Sequence, residues 1–300
     1  MKKERKIICI IGPTASGKTG WGVKIAKKWG GEIISADSRQ VYHGLDIGTG
    51  KDLEEYGGIK YHLIDIRKPG ERFTMFDWLE KARVAIDDIF GRGKIPVVVG
   101  GTGLYVQSLV EGFELAKNEK RKADSNFSRK ELESKSLKEL QTILKKLAVN
   151  NPKLKNIDIN NPHRIIRAIE KFQFGEIANK KKPDFQALQI AIDLPRDVLY
   201  ERIDRRVEER FEQGMLEEVK SLTVSGVDKK WLLGLGLEYR IIGRYVLDES
   251  SQNFEEMKQE LKYKIHAFAR RQLTWFRRFS EVVWCRDLKL AEEEIKKFLI

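Results

Sequence analysis

The run Gly12-Pro13-Thr14-Ala15-Ser16-Gly17-Lys18-Thr19 satisfies the pattern GxxxxGK[ST] in full. Its chemistry is phosphate binding. The glycines let backbone N–H groups converge on phosphate oxygens, a helix N-terminus behind them adds partial positive charge, Lys18 bridges phosphates, and the Thr19 hydroxyl suits Mg²⁺. A nucleoside triphosphate and a diphosphate on another carrier offer the same oxygens, so the cradle does not choose between them. Two further stretches could carry the choice. Asp37, at the head of Asp37-Ser38-Arg39-Gln40-Val41-Tyr42, could bind Mg²⁺ or accept a proton, and Gly100-Gly101-Thr102-Gly103-Leu104-Tyr105 combines room for close ligand approach with the Thr102 hydroxyl. Two ordinary turns would be the plainer account of both.

These residues need elements to position them. Ile7 to Ile11 is a short apolar run stopped by Gly12, which predicts a strand buried on both faces. A helix from Thr19 to Trp29 follows, closed by Gly30-Gly31. A strand over 32–36 then delivers Asp37. A short strand over 61–66, a helix over 74–90 and a Val-rich strand over 95–99 continue the alternation, the last running into Gly100. Strand and helix in turn predict an α/β fold, a doubly wound parallel sheet of the P-loop kind, with ligands at the carboxyl ends of the strands where Asp37 and Thr102 fall.

Beyond Gly112 the composition shifts. Residues 113–160 are rich in Lys, Glu, Ser and Asn, and a capping box at Ser136-Leu137-Lys138-Glu139 precedes Leu140, Ile143, Leu144 and Leu147. This predicts a small helical insertion, splitting the core into 1–112 and 161–300. A returning strand is expected over 187–194, and one long helix over 197–222. That helix carries Leu199, Ile203, Val207, Phe211, Met215 and Val219 on one face and Arg202, Arg206 and Arg210 on another.

Composition bounds the rest. A hydrophobic fraction of 41% over 300 residues supports a packed core, and 57 Lys and Arg against 45 Asp and Glu give a net charge of +12 that favours a polyanionic partner or phosphorylated substrate. Cys9 and Cys285 are too few for a disulfide framework, which fits a reducing cytoplasm. His43, His62, His163 and His266 lack metal-ligand spacing, and no apolar run has the length of a signal core or membrane span. Between Leu261 and Ser280 the six cations Lys262, Lys264, Arg270, Arg271, Arg277 and Arg278 are unaccompanied by acids and interleave with Tyr263, Phe268, Trp275, Phe276 and Phe279. Such a mixture suits phosphates and unstacked bases, although an amphipathic helix with its aromatics in the core accounts for the rings equally well.

The sequence resembles the tRNA dimethylallyltransferase family, also called tRNA isopentenyltransferase, over nearly its whole length. The matching stretches are 12–19, 37–42, Leu45-Asp46-Ile47-Gly48-Thr49-Gly50-Lys51, His62-Leu63-Ile64-Asp65, 100–105, Asn161-Pro162-His163-Arg164-Ile165-Ile166-Arg167-Ala168-Ile169-Glu170 and Arg271-Gln272-Leu273-Thr274-Trp275-Phe276-Arg277. Nothing in the sequence demands more than a monomer. The resemblance implies an enzyme whose cradle, Gly12 to Thr19, holds dimethylallyl diphosphate with Mg²⁺ while the adenosine just 3′ of the tRNA anticodon is flipped into a channel. It implies Asp37 as general base, Thr102 near the bridging diphosphate oxygen, and Lys18 and Arg206 on the leaving group. It also implies tRNA contacts at Asp37, Ser38, Arg39, Gln40, Ser108, His163, Arg164, Ile165, Ile166 and Arg167, and at Leu235, Gly236, Leu237, Glu238, Tyr239 and Arg240. Against the family pattern, Gly20 and Gly22 put glycine where good helix formers usually stand, which loosens the first helical turn. Three rival expectations stand beside this one: a small-metabolite kinase on the same cradle, a prenyltransferase of free adenine nucleotides, and a non-catalytic RNA-binding protein.

Overall fold

Lys6–Ile11 forms β1, and four of its isoleucines with Cys9 are fully buried, as the unbroken apolar run requires. A computed structural model describes residues 4–115, 127–148, 157–174 and 178–300. The remaining elements follow in chain order: α1 Lys18–Trp29, β2 Gly31–Ser35, a 3₁₀ turn Leu53–Tyr56, β3 Tyr61–His62, α2 Met75–Gly91, β4 Ile95–Gly100 and α3 Gly103–Val110. After them come β5 Phe113–Leu115, α4 Arg129–Glu133, α5 Leu137–Ala148, α6 Pro162–Phe174 and β6 Ala178–Lys180. The chain closes with β7 Gln186–Ile192, α7 Arg196–Glu212, α8 Met215–Val224, α9 Lys229–Leu235, α10 Leu237–Val246, α11 Phe254–Phe276, β8 Val282–Cys285 and α12 Leu288–Leu299.

Six strands make one sheet in the order β3-β2-β4-β1-β7-β8, every pair parallel, with Ile8 beside Val97 and Cys9 beside Gln189. The carboxyl ends of β1, β2 and β4 therefore lie side by side, and the loops that follow them hold the cradle, Asp37 and Thr102. Trp78 of α2 fixes this edge. It is fully buried, its Nε1 donates to the Ser35 carbonyl at 2.8 Å, and its ring stacks on Tyr105 of α3 at 4.7 Å.

Several expectations are corrected. The strand expected over 61–66 stops at His62, because Leu63 and Asp65 take left-handed backbone, φ 65° and 52°, and leave the ladder. The helix expected over 197–222 is two helices, α7 and α8, parted by Gly214 at φ 100°. Gly22 has a packing reason as well. A Cβ there would sit 2.5 Å from a methyl of Val99, so the glycine lets the helix lie close against β4.

The chain divides into two compact units, Met1–Glu111 with Lys182–Ile300, and Gly112–Lys181. The second is wider than the insertion expected over 113–160. Helix α6 belongs to it because Ile165, Ile166 and Ile169 share a core with Leu132, Leu140 and Leu144, and the antiparallel pair β5–β6 closes it. Its Ser136 capping box is present, with Glu139 accepting from the Ser136 amide at 2.8 Å. Positions 116–126 and 149–156 of the expected insertion lie outside the described residues.

Candidate active site

The cradle follows β1 directly. Ala15 and Gly17 take left-handed backbone, φ 58° and 90°, the Ser16 hydroxyl donates to the Pro13 carbonyl at 2.8 Å, and Lys18 Nζ donates to the same oxygen at 2.5 Å. Burial, with the Arg206 guanidinium close by, pushes the Lys18 ammonium down to about 7, while Asp37 acts in the opposite sense. A lysine so desolvated is held for an anion. Thr19 faces the same space, and its hydroxyl has no hydrogen-bond partner among the described residues.

Asp37 leaves β2 with Oδ1 accepting from the Arg39 amide at 2.8 Å and no other described bond to its carboxylate. Thr102 Oγ1 accepts from the Ser38 amide at 3.2 Å, which leaves the Thr102 hydroxyl proton free to donate outward. Gly100 is required here, since a Cβ would lie 2.2 Å from the Ala36 carbonyl oxygen. Gln272 of α11 ties the two loops together. Its Oε1 accepts from the Thr14 amide at 2.9 Å and its Nε2 donates to the Gly101 carbonyl at 2.8 Å, so a buried amide joins the cradle to the Thr102 loop. Sequence reasoning assigned Gln272 no role. Its only signal was its place in the resemblance run 271–277.

Helix α7 brings its arginines to the other side. Arg202 reaches toward the Ser16 carbonyl, at 3.5 Å, and Arg206 Nη2 pairs with Asp52 at 2.8 Å. Arg210 is almost fully buried, and burial beside Arg206 pushes its guanidinium down to about 10, still charged at neutral pH. The loop facing these arginines is held by two charges the sequence did not mark as structural. Glu218 accepts from the amides of Asp46, Ile47 and Gly48 at 2.7, 2.7 and 3.0 Å and from the Tyr239 hydroxyl at 2.8 Å. Buried Lys51 donates to the Tyr42 carbonyl at 2.7 Å and pairs with Asp46 and Asp65.

Two cavities meet at these side chains. One of about 810 Å³ runs between the cradle and α7, and one of about 550 Å³ is lined by Asp37, Thr102, Glu238, Phe268, Arg271 and Trp275 among others. Lys18, Thr19, Arg206 and Arg210 border both. The candidate catalytic residues are thus brought to one place.

The residues expected on the RNA side divide. Ser38, Arg39, Gly236, Leu237, Glu238 and Arg240 border the smaller cavity. Gln40 does too, but its amide is committed internally, accepting from the Ser35 hydroxyl and donating to the Gly50 carbonyl. Tyr239 borders that cavity as well, although its side chain is almost fully buried. Ser108 is fully buried and donates to the Tyr105 carbonyl, Leu235 is a core residue, and Ile165 and Ile166 pack inside the second unit. Those positions share helices with exposed neighbours. His163 and Arg164 are exposed and Arg167 half-buried on α6. Along α11, Phe268, Arg271, Trp275 and Phe276 reach the cavity, whereas Lys262 is spent on Glu208 and Arg270 donates to the Tyr200 hydroxyl.

A parallel sheet with a phosphate cradle after its β1, and a carboxylate and a hydroxyl on the neighbouring strand ends, defines an α/β enzyme of the P-loop kind. The family described as IPP transferase matches residues 40–279, and the one described as isopentenyl transferase matches residues 5–63. The chain belongs to the IPP transferase family. Relatives include a tRNA dimethylallyltransferase 2 of Citrifermentans bemidjiense, 44% identical over 275 residues, 91% of this chain and 87% of that one. A tRNA dimethylallyltransferase 1 of Geotalea daltonii is 42% identical over 280 residues with the same coverage. The solved tRNA isopentenylpyrophosphate transferase of Bacillus halodurans matches with a TM-score of 0.70 at 36% identity, over 99% of this chain and 96% of that one. A eukaryotic dimethylallyltransferase solved acting on tRNA gives 0.71 at 26% identity, over 90% and 69%.

Proposed function

We propose that the protein transfers the dimethylallyl group of dimethylallyl diphosphate to the exocyclic amine of the adenosine 3′ of the anticodon in tRNA. The observation that carries the reading is that Asp37 and Thr102 border the same cavity as Lys18, Thr19 and Arg206, so a proton acceptor and a leaving-group clamp face one space. The amine nitrogen attacks the allylic carbon, the carbon–oxygen bond breaks, and the electron pair departs with diphosphate. Asp37 takes the amine proton through its unoccupied oxygen. Charge gathers on the departing oxygens, where Lys18, the cradle amides, Arg206 and the Thr102 hydroxyl stabilise it; this electrostatic term is the largest.

Thr19, with its free hydroxyl between the two cavities, fits Mg²⁺ in company with diphosphate oxygens and water, and no cluster of three or more acidic, His or Cys ligands among the described residues competes for it. When bound, the ion would neutralise part of the diphosphate charge. Flipping the base supplies access to an amine otherwise stacked among its neighbours, and Arg271, Phe268 and Trp275 give the cavity wall the cation and rings that an extruded nucleotide meets. No helix among the described residues is long and apolar enough to cross a membrane. We read the enzyme as a cytoplasmic monomer.

The test is to incubate the protein with Mg²⁺ and labelled dimethylallyl diphosphate in the presence of tRNA, AMP or ATP. Label entering tRNA alone supports the proposal. Label entering AMP, or phosphate moving from ATP to a metabolite, refutes it.

A further inference from the structure

Arg206 has an anion beside it, Asp52. Its neighbour one helical turn on, Arg210, makes no ion pair among the described residues, although Glu238 and Asp52 both attract it. Only 8% of Arg210 is exposed, and among the described residues its guanidinium makes one hydrogen bond, from Nη1 to the Gly48 carbonyl at 3.3 Å. Glu238 attracts it electrostatically across the smaller cavity without bonding to it. Its remaining nitrogens are not among the buried side-chain atoms that lack a partner, so they open onto the cavities and offer most of the five guanidinium donors there.

The surroundings identify what is missing. Gly50 lies under both arginines: a Cβ there would stand 1.7 Å from Arg210 Nη2 and 2.2 Å from Arg206 Nη2, so the two guanidinium groups are near neighbours stacked over a glycine. Both border the two cavities, as Lys18 does. Three cations therefore converge where the two cavities meet, and of the carboxylates that line the larger one, Asp46, Asp52, Glu54, Glu55 and Glu209, only Asp52 pairs with one of the three. Two like charges pressed together out of water repel, and a polyanion between them reverses the sign of that interaction. A diphosphate monoester carries about three negative charges near neutral pH, and adjacent guanidinium forks match the oxygens of two linked phosphoryl groups.

We propose that Arg210 binds the diphosphate of the donor directly, as a second guanidinium beside Arg206. This rests on the donor reading given above. Asp52 occupies Arg206 in the free protein, and Arg210 is the member of the pair kept without a carboxylate.

The experiment uses the whole chain, wild type and two variants, Arg210→Met and Arg210→Lys. Affinity for inorganic pyrophosphate with Mg²⁺ is measured by calorimetry, single-turnover transfer with labelled dimethylallyl diphosphate and tRNA, and thermal midpoint alongside. Arg210→Met is expected to weaken pyrophosphate at least tenfold and slow single-turnover transfer, with tRNA affinity within twofold of wild type. Its thermal midpoint is expected to be unchanged or raised, because methionine fills the volume without burying an unpaired charge. Arg210→Lys is expected to weaken pyrophosphate at least threefold, since a point charge replaces a planar fork. Unchanged pyrophosphate affinity in Arg210→Met overturns the inference, and so does a lowered thermal midpoint with affinity retained, which would make Arg210 a structural residue. Should Arg210→Met not fold, unchanged affinity in Arg210→Lys overturns it. Wild-type protein that binds pyrophosphate but moves no label to tRNA would refute the proposed function, while the role of Arg210 is still decided by the pyrophosphate titration.

Discussion

If the cradle holds a diphosphate as proposed, binding is expected to be proton-coupled through Lys18. In the free site, burial and the Arg206 guanidinium bring its ammonium down to about 7. A bound diphosphate favours the charged form and holds the proton, so the bound site keeps an ammonium that the free site loses as pH rises through 7. The sign follows: above pH 7 binding takes up a proton from solvent, and affinity falls as pH rises. Uptake should be about 0.5 proton per site at pH 7 and about 0.9 at pH 8, and Kd should rise about fivefold from pH 7 to 8 and about ninefold from pH 8 to 9, approaching the limit of about 1.4 kcal/mol per pH unit. Below pH 6 Lys18 contributes no pH dependence. Calorimetric titration with dimethylallyl diphosphate in two buffers of different ionisation enthalpy gives the uptake, and Lys18→Met gives the baseline. Wild-type binding at pH 8 without proton uptake, or the same pH slope in Lys18→Met, would refute the reasoning.

Other expected outcomes are as direct. Asp37→Ala should abolish transfer to tRNA while changing donor affinity less than threefold, and near-wild-type turnover in that variant would remove Asp37 as the base. Gln272→Leu strips partners from the Thr14 amide and the Gly101 carbonyl, so urea unfolding should report a loss of about 2 kcal/mol and KM for the donor should rise; unchanged KM would separate this bridge from the cradle. Gly22→Ala tests packing against propensity: alanine favours a helix by about 1 kcal/mol, yet its Cβ would meet Val99 at 2.5 Å, and a net loss in thermal stability is expected.

The parts of the molecule legible in sequence are those with short-range rules. An unbroken apolar run stopped by Gly12 marked a doubly buried strand, the cradle fixed its own strand and helix, and the glycines read as room for close approach include Gly100, where a Cβ would meet the Ala36 carbonyl. Asp37, Thr102, Lys18 and Arg206, singled out by motif and resemblance, border one cavity because the strand ends and α7 carry them there. What escaped depends on partners distant in the chain. Gln272 acts on residues 171 and 258 positions away, and Glu218 on amides 170 to 172 positions back; both read alone as ordinary surface polars. β8 was missed because Val282 to Cys285 is short and follows a basic helix, and it earns its place only by pairing with β7. The extent of the second unit escaped for a related reason. α6 has the amphipathic spacing of any surface helix, and only its neighbours decide which core receives it.

The hydrogen bond from the Ser38 amide to Thr102 Oγ1 couples two loops that otherwise come from different strands. The residue after Asp37 is thereby tethered to Thr102, so under the proposed mechanism the spacing between the base and the hydroxyl facing diphosphate is held from both loops. On the same reading, room for a bulkier allyl group is expected from Phe268, Trp275 and Phe276 of α11, which border the smaller cavity and stand outside the tether.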